Sequence, residues 1–230
     1  MTTPPPLPPG LPRISRSVAL PPVPLSLWLL VGAMGVAEGV LSLADRDIIG
    51  TPIWRYAALN YGAFWDVIFD GQVDPVWPYQ GLAMFATHAF LHGDLMHYLL
   101  NNVILLAVGK LIAGIIGPFR MILLFLITAI GGALVYGLIA QTGHPMVGAS
   151  GAVFGFIGFW KQVEFRVRLR RGMSLRPIGS MILALAIANV VVFFLLQGRM
   201  AWEAHLGGFV AGWLMGWFWR PVSRDGAATP

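Results

Sequence analysis

Long apolar stretches recur along this chain, and too little polar sequence separates them to build a soluble core. Residues 25–43, 95–116, 121–140, 178–196 and 204–219 each approach the length of a bilayer-spanning helix, and a shorter apolar run occupies 151–160. Hydrophobic residues make up 57% of the chain and charged residues 11%, whereas soluble domains carry roughly a quarter charged residues. The expected fold is an all-α polytopic membrane protein with six candidate transmembrane helices in one domain, residues 25–219. Residues 1–24 hold prolines in clusters that cannot sustain a helix, which predicts a disordered cytoplasmic tail; residues 220–230 form a second, short one. The first apolar run follows Arg13 and Arg16 as a secretory signal would, but it is too long, contains Glu38 and is followed by further spans, so it reads as an uncleaved helix.

Charge placement bears on topology. Of the 15 lysines and arginines, all but Arg46, Arg55 and Arg199 fall in the tails or around the connections after the second and fourth spans. The positive-inside rule then puts both termini and the basic loop 161–176 in the cytoplasm, and the long connection 45–94 outside. That connection alternates aromatic residues such as Trp54, Tyr61, Trp65 and Trp77 with aspartates, as chain lying at a membrane interface does. The net charge of +5 is thereby explained without a nucleic-acid partner. Cysteine is absent, which excludes disulfides, thiolate metal sites and a cysteine nucleophile.

Within this framework Ser150 is unusual. Lys161 lies eleven positions after it, roughly 16 Å of helix against a hydrocarbon core of about 30 Å. Ser150 is therefore expected midway through the bilayer. The Gly/Pro-rich stretch 141–148 before it cannot be helical, and irregular backbone at that depth needs a protein-lined or water-filled surrounding. A hydrated pocket opening outward follows. At a helix N-terminus, free N–H groups favour developing negative charge, and the Ser150 N–H is a candidate oxyanion donor. Packing offers an alternative use for the segment, since Gly151 and Gly155 form a small-xxx-small pair suited to helix contact.

A candidate base lies in the last span. His205 shares a helical face with Gly208 and Gly212, so two glycine-lined faces could pack backbone to backbone and bring imidazole to hydroxyl. Ionisable residues inside membrane segments are functional candidates, although an imidazole can also simply bond a neighbouring helix. At the start of the second span His97 and Asn101 are four apart and share a face. Two N–H donors aimed at a tetrahedral intermediate would form an oxyanion hole, worth about 3 kcal/mol each. Interhelical hydrogen bonding is their alternative use.

Other site chemistries fit poorly. His-Glu-x-x-His is absent, and His92 and His97 are five apart, so no metal site is expected. Ala152 stands where a Gly-x-Ser-x-Gly elbow needs its last glycine.

Taken together, three motifs resemble the rhomboid family of intramembrane serine proteases over residues 25–219: His92, His97 and Asn101; Gly148, Ser150 and Gly151; and Ala204, His205, Gly208 and Gly212. The resemblance implies a six-helix rhomboid-like bundle with a long interfacial first loop, Ser150 as nucleophile, His205 as base without a third carboxylate, and His97 with Asn101 on the oxyanion. It gives His92 a mainly structural role. Phe154 stands where the family often has a tyrosine stacked on the catalytic histidine. The Trp-Arg pair that many members carry shortly before the first histidine is missing there, Trp54-Arg55 being much farther upstream.

The expected function is a cofactor-free intramembrane serine endopeptidase of the bacterial inner membrane. Its partners would be the bilayer and transmembrane protein substrates, cut near the outer face where Gly or Pro weakens their helix, with lateral access between the second and fifth helices implied by the resemblance. The alternatives are a noncatalytic rhomboid-like binder of membrane-protein clients and a small transporter, whose usual inverted repeats are not evident.

Overall fold

The computed structural model describes residues 22–219, so the two expected tails, except for 22–24, lie outside the described residues. Nine α-helices occur among the described residues: α1 (Leu25–Ala44), α2 (Ile53–Gly62), α3 (Asp66–Phe69), α4 (Gln80–Thr87), α5 (Leu95–Ile116), α6 (Pro118–Ile139), α7 (Ser150–Arg170), α8 (Arg176–Leu195) and α9 (Trp202–Phe218). A 3-10 turn, His88–Phe90, follows α4. Two short strands, β1 (Phe64–Trp65) and β2 (Pro145–Met146), pair antiparallel with Phe64 opposite Met146, a small exception to the all-α expectation.

Local chemistry explains the helix ends. Asp94 caps α5 by accepting from the His97 N–H at 2.8 Å. Gly117, at φ +86°, turns the chain out of α5, and Pro118 opens α6 at once. For this reason α6 begins three residues before the predicted 121–140 span.

Among the described residues four helices, α1, α5, α6 and α8, are long and apolar enough by themselves to cross a membrane, where six spans are expected from the sequence. The other two long helices differ for physical reasons: α9 has 17 residues, and α7 continues well past its apolar start. The sequence reading ends that run at 160 and assigns 161–176 to a loop. Instead α7 runs unbroken to Arg170, because Glu164 bonds both Lys161, at 2.7 Å, and Arg168, at 2.6 Å, along one helical face. Lys161 is itself buried in the bundle. Likewise, residues 45–94 are not a plain connection but hold α2, β1, α3, α4 and the 3-10 turn.

Helices α6, α7 and α9 pack closely on one another, with α5 against α6 and α7, and α1 against α5 and α6, around a core that includes Leu27, Leu105, Ile112, Phe125, Phe156 and Phe159. Glycines make the central contacts very close. A Cβ added at Gly208 would overlap the Gly151 carbonyl, and one at Gly212 the Gly155 carbonyl. In contrast α8 is peripheral, with Ile178 its one buried residue. Its Leu183, Ile187, Phe194 and Leu195 are exposed, an apolar surface suited to lipid rather than water.

Candidate active site

Ser150 is the first residue of α7, and His205 lies in the first turn of α9. The Gly151–Gly208 contact joins the two helices one residue beyond the serine and three beyond the histidine. The structure brings the two side chains together, with His205 Nε2 2.8 Å from Ser150 Oγ. That is hydrogen-bond distance for a hydroxyl and the ring nitrogen that could take its proton. Phe154, one turn along α7, lies flat on the imidazole, the ring centroids 4.2 Å apart and the planes 5° from parallel. The stack fixes the ring's plane without a hydroxyl.

Ser150, Gly151 and Ala152 begin a helix, so their N–H groups have no intrahelical acceptor. Just before them Gly148 adopts φ +112°, a conformation open to glycine, and its N–H is tied to the His88 carbonyl at 2.9 Å. Space beside Gly148 is where the α5 residues converge: a Cβ there would stand 2.7 Å from His97 Nε2 and 3.1 Å from Asn101 Nδ2. Asn101 Nδ2 is buried and has no hydrogen-bond partner among the described residues. A buried amide donor left unpaired is costly, and a developing oxyanion is the kind of acceptor that would satisfy it.

His92 stands behind these donors. Its ring packs edge-on against His97, centroids 5.2 Å apart, and against Tyr98 at 5.5 Å. Burial, reinforced by the neighbouring His97, pushes His92 from the usual 6.5 down to about 3, so it is neutral through the physiological range.

Residues 79–222, well over half the chain, match the family model of the Rhomboid domain. The chain belongs to the rhomboid family. Similar proteins include RHOMBOID-like protein 5 of Arabidopsis thaliana, 32% identical over 131 residues that make up 55% of this chain and 40% of the plant protein. Rhomboid protease GluP of Bacillus subtilis is 30% identical over 126 residues, 55% of this chain and 24% of that protein. Rhomboid protease GlpG of Yersinia pestis is 26% identical over 207 residues, 90% of this chain and 65% of its own length. The match thus spans less than two thirds of each of these relatives. With its apolar helices, this rhomboid protein is an integral membrane protein.

Three residues around the rhomboid site escaped the sequence reading. Asn189 of α8 places Oδ1 2.6 Å from His205 Nδ1, on the ring edge opposite Ser150. A signal existed: Asn189 is the lone polar residue between Ser180 and Gln197, and such a residue in an apolar span is a functional candidate. Arg55 of α2 donates to the His92 carbonyl at 2.9 Å and to Glu38 at 2.8 and 3.0 Å, while its Nε reaches Asp45 at 2.7 Å. Burial opposes its charge, but the bonds to Glu38 and Asp45 outweigh that and raise its pKa above the ordinary guanidinium value. Glu38 thus finds its partner in the Trp54-Arg55 pair, far upstream of His92 in sequence. Asp66 accepts from the Thr142 and Gly143 N–H groups, fastening the loop that leads into Ser150.

Proposed function

We propose that this rhomboid protein is an intramembrane serine endopeptidase that cleaves transmembrane segments of membrane proteins through Ser150 and His205. The observation that carries the reading is the 2.8 Å contact between Ser150 Oγ and His205 Nε2, beside a space on which His97 Nε2 and Asn101 Nδ2 both border. It is further supported by relatives named as proteases, GluP and GlpG.

The chemistry follows from these atoms. As Ser150 Oγ attacks the scissile carbonyl carbon, its proton passes to His205 Nε2 and the carbonyl oxygen becomes an oxyanion. His97, Asn101 and the Ser150 N–H donate to that oxygen. Collapse of the intermediate breaks the C–N bond, the imidazolium protonates the departing amine, and an acyl-enzyme ester remains. Water, deprotonated by His205, then releases the carboxylate and restores the serine hydroxyl. Each oxyanion donor contributes about 3 kcal/mol to lowering the barrier.

In this reading six helices cross the bilayer: the four long apolar ones, together with α7 and α9. Helix α7 is shielded from lipid by its neighbours, which lets it carry polar residues such as buried Lys161 and Gln162, whereas α9 buries a glycine face and turns Leu206, Val210 and Leu214 outward. In a bacterial inner membrane, the location this reading adopts, the lysine and arginine bias supports cytoplasmic termini and an outward-facing Ser150 end of α7. Substrates present a helix weakened by Gly or Pro near that face, since an intact helix hides its backbone in hydrogen bonds.

The test is cleavage of a reporter transmembrane substrate in proteoliposomes by wild type, Ser150→Ala and His205→Ala. Wild type should cleave while both variants fold and do not. Cleavage by Ser150→Ala would overturn the assignment. Tight substrate binding by wild type with no cleavage would identify a noncatalytic client binder instead.

A further inference from the structure

We infer that Asn189 is the positioning residue for His205, holding the imidazole in the tautomer that can accept a proton from Ser150. The inference rests on Ser150 and His205 being nucleophile and base. It goes beyond a two-residue site by adding a third hydrogen-bonded group, an amide supplied by α8.

The amide's orientation carries the argument. Asn189 Nδ2 donates to the Leu185 carbonyl one turn earlier at 2.8 Å, which leaves Oδ1 facing His205 Nδ1 at 2.6 Å. Turning the amide over would set its carbonyl against the Leu185 carbonyl and lose that bond. With Oδ1 facing the ring, Nδ1 must carry the hydrogen, because an amide oxygen only accepts. In a neutral imidazole Nε2 is then the unprotonated nitrogen, and Nε2 is the atom 2.8 Å from Ser150 Oγ.

Two constraints thus act on one ring. Phe154 holds its plane by stacking at 4.2 Å, and Asn189 sets its rotation and its protonated edge. Neither group duplicates the other. The surroundings sharpen the point, because Asn189 lines an apolar cleft of about 540 Å³ between α8 and α9 whose other walls include Ile182, Leu185, Phe193 and Phe209. An amide there has little to bond except its own helix and the histidine, and the charge developing on the imidazole has no carboxylate beside it. The amide oxygen is the dipole that faces that charge.

The experiment measures kcat and KM for reporter cleavage by wild type, Asn189→Ala, Asn189→Asp, Ser150→Ala and His205→Ala, with thermal unfolding of each. Asn189→Ala should fold and lose about 10- to 100-fold in kcat with KM within about twofold. Asn189→Asp keeps an acceptor for Nδ1–H while losing the donor to Leu185, and should recover most of that kcat. In protein labelled with 15N-histidine, the His205 Nδ1 resonance should be that of a protonated nitrogen in wild type and shift toward a tautomer mixture in Asn189→Ala. Wild-type kcat in Asn189→Ala would overturn the inference alone. An Asp variant that folds but is as slow as Ala, with an unchanged His205 spectrum in Asn189→Ala, would also overturn it by reducing Asn189 to a helix contact. Cleavage by Ser150→Ala or His205→Ala would overturn the catalytic reading itself, and the inference with it.

Discussion

Helix α9 is fastened to α7 through glycine, backbone against backbone, whereas α8, which reaches the same imidazole from its other edge, is held by Ile178, by half-buried Met181 and Leu185, and by the bond from Asn189. The difference separates two tasks. Contacts with no side chain between them leave no slack, so Gly151–Gly208 and Gly155–Gly212 set the distance between Ser150 and His205. A loosely seated helix cannot set a distance of that kind, but it can carry one polar group to an edge that the rigid pair leaves free. Local stability is therefore expected to be uneven, high at the α7–α9 seam and low along α8.

The most damaging way to break the seam is to give it a side chain. Gly212→Leu puts four carbons where the Gly155 carbonyl already lies, which should force the helices apart, lower the unfolding temperature by several degrees or prevent folding, and abolish cleavage. Thermal unfolding in detergent and reporter cleavage are the measurements. Retention of wild-type activity by this variant would show that the seam does not position the pair.

Asn101→Ala tests the donor side with the seam intact. It removes the amide whose buried Nδ2 has no other partner, so kcat should fall by about 100- to 1,000-fold while the unfolding temperature holds or rises slightly, because an unsatisfied polar group has been removed. An unchanged kcat with a large loss of stability would make Asn101 a structural residue.

A smaller effect concerns acid stability. His92 has a folded pKa of about 3 against 6.5 unfolded, so between these values the unfolded chain binds more protons. Its contribution is complete above pH 6.5 and is lost progressively as pH falls toward 3. Unfolding temperature should decline over that interval, and less steeply in His92→Phe, which retains an aromatic ring against His97 and Tyr98. Equal slopes would remove His92 from the account. The smallest effect is expected on α8: Ile187 is 55% exposed, and Ile187→Ala should change stability by less than about 0.5 kcal/mol. A loss as large as that of Gly212→Leu would erase the contrast between the two helices.

Much of this arrangement was legible in the sequence because it is written in short-range periodicity. The glycines at 151, 155, 208 and 212 recur at helical spacing beside a serine and a histidine, so a reading at 3.6 residues per turn singles out both faces. The rest depends on contacts with no period. Arg55 finds Glu38 across 17 residues and the His92 carbonyl across 37, distances that only the folding of 45–94 into short helices closes. Asn189 meets His205 across the turn that joins α8 to α9, the two residues standing 16 positions apart. The helical stretch 161–170 is hidden in the sequence because its charges resemble the end of a span, whereas Glu164 pairs Lys161 and Arg168 along the helix and the bundle buries Lys161.

The central claim is that the seam delivers an activated hydroxyl at Ser150. Its most direct test is covalent: incubate the folded protein in proteoliposomes with a fluorophosphonate and map the adduct by mass spectrometry in wild type and His205→Ala. The expected result is a single modified residue, Ser150, in wild type and near-complete loss of labelling when His205 is removed. Modification at a different serine, or undiminished labelling of Ser150 without His205, would contradict the account.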